Sequence, residues 1–234
     1  MSNVVVTGAS RGIGRAIVAR FHAEGHQVIA CARRPGALAA LAADFPGVQT
    51  HVCDMADRAA VAGFARTVLQ QHGNVDLLVN NAGGFQPGGV AAQPDGVLED
   101  MLQVNLFSAY WASRAFLPGM QASGRGTIVN ICSIASMAAY ANGGAYSIAK
   151  HAMLGFSRNL REEMKPHSIR VSAVMPGATV SDSWDGVGLP ESRLMPAEDV
   201  AAMVWMIWSM SARTVVEDVV MRPMLGDIAA EEFP

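Results

Sequence analysis

The sequence predicts an α/β fold: one doubly wound parallel sheet of about seven strands with helices on both faces. Three observations lead there. Short β-branched runs alternate with helix-length amphipathic segments along the whole chain, the pattern of strand–helix–strand units with right-handed crossovers. Most of the runs are continuously apolar, as parallel strands covered on both faces require. The 234 residues are 51% hydrophobic and 16% charged, which allows a large core to be buried without disulfides or metals.

The strands are expected at residues 3–7, 27–31, 48–52, 76–80, 127–131, 169–175 and 217–221. After the first comes a glycine-rich turn, then a helix with Ile13, Ile17 and Phe21 on one face. Residues 57–72 place Val61, Phe64, Ala65 and Val68 on one helical face, with Asp57 as N-cap and Gly73 as stop. A later helix starts near Pro196, which suits a first-turn position, and buries Val200, Val204 and Ile207. The uncharged stretch 200–212, between Asp199 and Arg213, is too short to span a bilayer and reads as a buried helix. No repeat, low-complexity tract or linker divides the chain, so residues 1–234 are expected to form a single domain. The loosest stretches, 83–89 and 181–196, both follow strands. They belong at the carboxyl edge of the sheet, where open α/β folds bind ligands.

Composition excludes several function classes. A net charge of −3 lacks the basic footprint of a nucleic-acid binder. The start, Met1-Ser2-Asn3-Val4, has no basic region followed by an apolar segment, so no secretory leader is expected, and with stretch 200–212 too short to span a bilayer no membrane partner is expected either. Cys31, Cys53 and Cys132 form no CxxC and have no His at ligand spacing; they read as buried free thiols of a cytoplasmic protein, with no metal site. Of the 17 basic residues, only Lys150 and Lys165 are Lys.

The first turn reads Thr7-Gly8-Ala9-Ser10-Arg11-Gly12-Ile13-Gly14. Its glycines permit a tight turn and close approach of a phosphate to the N–H groups of the following helix. The spacing is GxxxGxG, without the GK[ST] of a P-loop. A purely structural glycine turn would look similar, but the place directly after the first strand favours a nucleotide site. Tyr146 and Lys150, four apart on an expected helix, share a face. A neighbouring ammonium stabilises a phenolate and so improves proton exchange. Alone, the two would pass for an ordinary surface pair; Ser133, just after a strand, supplies a hydroxyl for a carbonyl oxygen.

In order and distance these residues resemble the short-chain dehydrogenase/reductase family. The glycine turn is followed by Asn80-Asn81-Ala82-Gly83 closing the fourth strand, Asn105 in the next helix and Ser133 after the fifth strand. Tyr146-Ser147-Ile148-Ala149-Lys150 and Pro176-Gly177 complete the set. The resemblance covers essentially the whole chain and implies a Rossmann-like oxidoreductase that interconverts a carbonyl compound and a secondary alcohol. It implies Tyr146 as general acid/base, and Lys150 as the group that stabilises its phenolate and binds the nicotinamide ribose. Ser133 would polarise the carbonyl, and Asn105 would hold a water linking Lys150 to solvent. Ser136 is a secondary alternative hydroxyl, and Cys132 a packing residue.

For the cofactor, the resemblance implies contacts from Gly8, Ser10, Arg11, Gly12, Ile13, Gly14, Asn81, Ala82, Gly83, Tyr146, Lys150, Pro176 and Gly177, with Asp54 at the adenine. Where relatives carry Thr five positions beyond the Pro, this chain has Ser181, with Thr179 nearby. At the end of the second strand, Ala32 stands where NAD-preferring relatives have Asp, and Arg33 follows. With Arg11 this favours NADP(H), because guanidinium pairs bidentately with phosphate. An NAD-linked dehydrogenase, with Arg33 turned away, and a non-catalytic dinucleotide sensor are the alternatives; the complete Asn105, Ser133, Tyr146 and Lys150 set argues against the sensor.

The resemblance implies that residues 182–196 cover the site, with Trp184 and Leu189 as an apolar wall and Asp182, Asp185 and Glu191 facing solvent. Phe85 and Gln86 are further lining candidates. The ending 214–223 departs from acyl-carrier-protein reductases and resembles the NADP-dependent hydroxy-acid and serine-type dehydrogenase branch. The resemblance implies that helices around 94–120 and 144–164 form a homodimer or homotetramer interface, as they commonly do in relatives. The segment with Trp205 and Trp208 reads equally as another interface or as core.

Overall fold

The computed structural model describes residues 1–181, 184 and 187–228. Among these, seven strands form: β1 Asn3–Thr7, β2 Gln27–Ala32, β3 Gln49–Val52, β4 Leu77–Asn80, β5 Gly126–Ile131, β6 Ile169–Pro176 and β7 Asp218–Met221. They pair in parallel in the order β3-β2-β1-β4-β5-β6-β7. The chain winds outward from β1 to β3 and then crosses back to β4 beside β1. The crevice at that reversal opens at the carboxyl ends of both strands.

The strand alternation explains the two helical layers. Val4 and Val6 of β1 face a core shared with α1 (Gly12–Ala23), α2 (Pro35–Asp44) and α7 (Ala197–Ser209), through Ile17, Phe21, Leu41, Val200 and Val204. Val5 faces the other layer: α3 (Arg58–His72), α5 (Ser108–Ser123) and α6 (Gly144–Met164), through Val61, Phe64, Phe116, Met120 and Leu160. The short α4 (Val97–Leu102) precedes α5.

The expected helix signals behave as their chemistry dictates. Asp57 caps α3 by accepting from Ala59 N and Ala60 N, and Gly73 ends that helix with φ 71°. Pro196 is the N-cap of α7 and not the first-turn residue expected, because its ψ of 141° is extended. Glu198 and Asp199 occupy the first turn instead, where carboxylates suit the positive end of the helix. At the other end, the Arg170 guanidinium donates to Trp208 O at 3.0 Å and Met210 O at 2.9 Å, and ties them to Thr127 Oγ1 at 2.9 Å. Stretch 200–212 therefore contributes a buried helix. Its Trp205 packs edge-on against Phe21 at 5.3 Å with Arg20 over its ring, so core packing accounts for it.

Beneath the site, Asn80 Nδ2 donates to Asn130 Oδ1 (2.8 Å) and Ser113 Oγ (3.0 Å), and Asn130 Nδ2 donates to Ser157 Oγ (2.8 Å). This buried chain locks the ends of β4 and β5 to α5 and α6. The three cysteines are free and buried. Among the described residues no helix is long and apolar enough to cross a membrane, and no cluster of three His, Cys, Asp or Glu could hold a metal.

Candidate active site

Glycine shapes the cradle at the end of β1. Gly8 and Gly12 adopt φ of 63° and 49°, the left-handed region that other residues rarely enter. A Cβ on Gly14 would collide with Gly8 O and lie 2.5 Å from Asn81 Nδ2. Thr7, which the motif reading passed over, fixes the geometry: its Oγ1 accepts from Asn81 N and Ala82 N, each at 3.0 Å. Asn81 Nδ2 in turn donates to Thr7 O and Gly8 O at 3.0 Å. Ile13 anchors the turn in the core, while Ser10 is half-buried and Arg11 exposed. The N-cap of α1, Arg11, provides no side-chain cap, so the helix presents its first N–H groups to the crevice. A glycine cradle in front of uncapped donors fits the pyrophosphate of a dinucleotide.

The rim beyond β2 carries the specificity candidates. Ala32 ends the strand, and Arg33 and Arg34 follow it, both exposed. Cys53 N donates to Ala32 O at 3.0 Å, which brings Asp54 beside them. Asp54 does not cap α3; its Oδ1 accepts from Ala56 N at 3.0 Å in a tight turn, and its carboxylate stays exposed.

The four catalytic candidates come from three elements. Ser133 follows β5 and opens a one-turn 3₁₀ helix; its Oγ accepts from Ala135 N at 3.1 Å, while Ser136 Oγ accepts from Ser133 N at 3.2 Å. Ser136 is thus a brace behind Ser133, which keeps its own hydroxyl proton for another acceptor. Tyr146 and Lys150 lie one turn apart on α6, with Nζ 5.8 Å from the centroid of the phenol ring. Lys150 is only 6% exposed and donates to Ile131 O at 3.0 Å, an anchor that motif reading does not reveal. Asn105 lies not in a regular helix but in a π-helical turn, Gln103–Phe107, between α4 and α5. Its amide grips Gly84 from both sides, Nδ2 donating to Gly84 O at 2.9 Å and Oδ1 accepting from Gly84 N at 3.2 Å. A Cβ on Gly83 would sit 2.8 Å from Asn105 Oδ1 and 3.6 Å from Lys150 Nζ, so these three residues crowd one point.

Two aromatic neighbours complete the mouth. Phe85 packs edge-on to Tyr146 at 5.0 Å. Tyr140, also missed in the sequence, has its phenol pushed up to about 12 by burial and by the nearby Tyr146. Cys132 behaves as a packing residue: it is buried, and burial raises its thiol.

On the far side, Pro176 ends β6 and Gly177 N donates to Met221 O at 2.8 Å. The Thr179 hydroxyl turns inward to Gly177 O at 2.9 Å, whereas Ser181 lies over the glycine turn, its Cβ 3.4 Å from where a Gly12 Cβ would be. A cleft of about 910 Å³ runs beside them, lined by Gly12, Arg15, Val180, Ser181, Leu194 and Pro196 among others. Trp184 N donates to Ser181 O at 3.0 Å, Leu189 is half-buried and Glu191 exposed; Asp182 and Asp185 lie outside the described residues.

Comparison with known proteins identifies the family. The family model for short chain dehydrogenase matches residues 2–190. The chain is 36% identical to the bovine dehydrogenase/reductase SDR family member 7B over 74% of its own length, and spans 57% of that relative. It is 32% identical to the NADP-dependent 3-hydroxy acid dehydrogenase YdfG of Salmonella typhi, covering 97% of this chain and 96% of the other. A closed-form serine dehydrogenase complexed with NADP+ superposes with a TM-score of 0.88 at 28% identity, over 97% of each chain. With the family match over residues 2–190 and relatives of this identity and coverage, this chain belongs to the short-chain dehydrogenase family.

Proposed function

We propose that the chain is an NADP(H)-dependent oxidoreductase that interconverts a carbonyl compound and a secondary alcohol. The observation that carries this reading is the convergence of Ser133, Tyr146, Lys150 and Asn105 beside the glycine cradle. NADP(H), when bound, supplies the hydride in reduction and accepts it in oxidation. In reduction the Tyr146 phenol gives its proton to the carbonyl oxygen, and in oxidation it takes one from the alcohol. Ser133 donates its free hydroxyl proton to the same oxygen and polarises the bond. Lys150 stabilises the phenolate form of Tyr146, and Asn105, held rigid by Gly84, leads the proton path to solvent.

Ala32 at the end of β2, Arg33 after it and Arg11 in the turn support a 2′-phosphate rather than a bare hydroxyl. The names of two relatives support the same cofactor and make hydroxy acids the first substrates to try. Ser181, which lies over the glycine turn, is assigned to the cofactor there, Thr179 to holding Gly177 through its hydroxyl, and Asp54 to the adenine. Residues 1–234 work as one unit in the cytoplasm, with 181–196 as the substrate segment. Exposed Leu98, Phe107, Tyr110 and Ile148 on α4 to α6 support a homodimer or homotetramer through that face.

The test follows NADPH absorbance, which falls with ketones and aldehydes supplied with NADPH and rises with hydroxy acids supplied with NADP+, with matching NADH and NAD+ arms. Turnover with NADPH, and its loss by about 10³-fold in Tyr146→Phe with NADPH still bound, is the expected result. No turnover of any member, or an unimpaired Tyr146→Phe, defeats the mechanism. If the NADPH advantage survives Arg33→Ala, the role given to Arg33 is wrong.

A further inference from the structure

Tyr146 lies in the first turn of α6, and a helix start must find partners for its unpaired N–H groups. Gly143, at the N-cap, has no side chain to supply one. The partner comes from a distant segment: Gln93 Oε1 accepts from Ala145 N at 2.9 Å. The same amide's Nε2 donates to Gln86 O at 3.3 Å, beside Phe85, whose ring rests on Tyr146. Gly88 N also donates to Asn142 O at 3.1 Å. One side chain thus joins the loop after β4 to the turn that carries the phenol.

The fit of this amide depends on two glycines. A Cβ on Gly88 would approach Gln93 Cγ to 2.7 Å, and one on Gly144, at φ 35°, would collide with Gly88 O and lie 2.5 Å from Gln93 Oε1. Ser133 is braced separately, by its own capping box after β5. The two groups proposed to meet one substrate oxygen are therefore held by separate sets of partners.

We infer that Gln93 is a positioning residue for proton transfer: it caps the catalytic turn of α6 and holds Phe85 and Tyr146 as one unit against Ser133. The inference rests on the proposed role of Tyr146. Losing the tie lets the phenol drift, and a misplacement of about 1 Å can cost on the order of 10²-fold in rate. The cofactor cradle is built from other residues and does not feel the change.

The test compares wild type, Gln93→Ala, Gln93→Met, Gln93→Glu and Tyr146→Phe for kcat, the KM of the carbonyl substrate, NADPH affinity and Tm. Gln93→Ala and Gln93→Met should lose roughly 10- to 100-fold in kcat, with NADPH affinity within about twofold of wild type. Gln93→Glu keeps the acceptor for Ala145 N but sets a carboxylate oxygen where Nε2 donates to Gln86 O, so its kcat should fall between wild type and Gln93→Met. Should Gln93→Ala fail to fold, the Met and Glu variants carry the comparison. A Gln93→Met enzyme with wild-type kcat, or kcat and NADPH affinity falling together with Tm, overturns the inference. A Tyr146→Phe enzyme at wild-type rate defeats the proposed function itself, so the two failures are distinct.

Discussion

At the carboxyl ends of β1 and β4 the surface of the site is backbone. Gly8, Gly12 and Gly14 present peptide groups, and Thr7 and Asn81 hold those peptides in place. At the ends of β5 and along α6 the surface is side chain: Ser133, Tyr146 and Lys150, each steadied by a carbonyl, a cap or a ring. The two regions therefore fail in opposite ways. The cradle breaks when atoms are added, and the catalytic side when they are taken away or reshaped.

The largest expected effect reshapes the catalytic side. Lys150 is buried, with its ammonium fitted to Ile131 O. A guanidinium keeps the charge but is planar and wider, and it donates in a fixed fork. Lys150→Arg should lower kcat by about 10³-fold, measured by single-turnover NADPH oxidation. A variant retaining more than a tenth of wild-type kcat would show that charge alone suffices there, and the contrast would break.

Next comes Ser133→Ala against Ser136→Ala. Ser133 should cost about 10²-fold in kcat, because its hydroxyl proton is the one directed at substrate. Ser136 only braces Ser133 N, at 3.2 Å, and should cost about tenfold or less. Equal losses would mean that the brace and the donor have been assigned the wrong way round.

On the cradle side, Gly14→Ala adds one methyl against Gly8 O and Asn81 Nδ2, neither of which is the free end of a flexible chain. Overpacking of this kind costs about 1–3 kcal/mol, so Tm should drop and NADPH affinity should weaken. Fluorescence titration checks the second effect, and kcat at saturating NADPH should change far less. A kcat loss without an affinity loss would erase the difference between the two regions.

The same contrast explains what could be read in advance. Strands and turns are local patterns, so the glycine turn, the Asp57 cap and the β-branched runs were legible within a residue or two. The order of Asn105, Ser133, Tyr146 and Lys150 was legible through family resemblance. What escaped was tertiary: Lys150 reaching Ile131 O across 19 residues, and Gln93 capping Ala145 across 52. No periodicity encodes such a partner, since it exists only once β4, β5 and α6 are assembled. Asn105 belongs with these, because a π-helical turn has no composition that separates it from an ordinary one.

The smallest effect separates the regions by their response to acid. His26 stands before β2 among the rings of Phe21, Trp205 and Trp208, and burial, then the N-terminal ammonium, lowers its pKa. His51 in β3 is lowered by burial and then by His72. A depressed histidine is bound by fewer protons folded than unfolded, so its contribution is whole above the unfolded value of about 6.5 and is lost as pH falls through the folded value. In the other half, burial by itself raises Asp218 in β7, but the hydrogen bonds from Arg161 and Arg158 outweigh it and leave the carboxyl lowered. That contribution is whole above the unfolded value of about 3.9 and is lost only below it. Tm should therefore begin to fall at about pH 6 through the β2–β3 side, and below about pH 4 through β7. Melting curves across this range should show a shallower first fall in His26→Gln and His51→Gln. Asp218→Asn should lower Tm at neutral pH and flatten only the second fall; a flattened first fall would place the acid-sensitive group in the catalytic half instead.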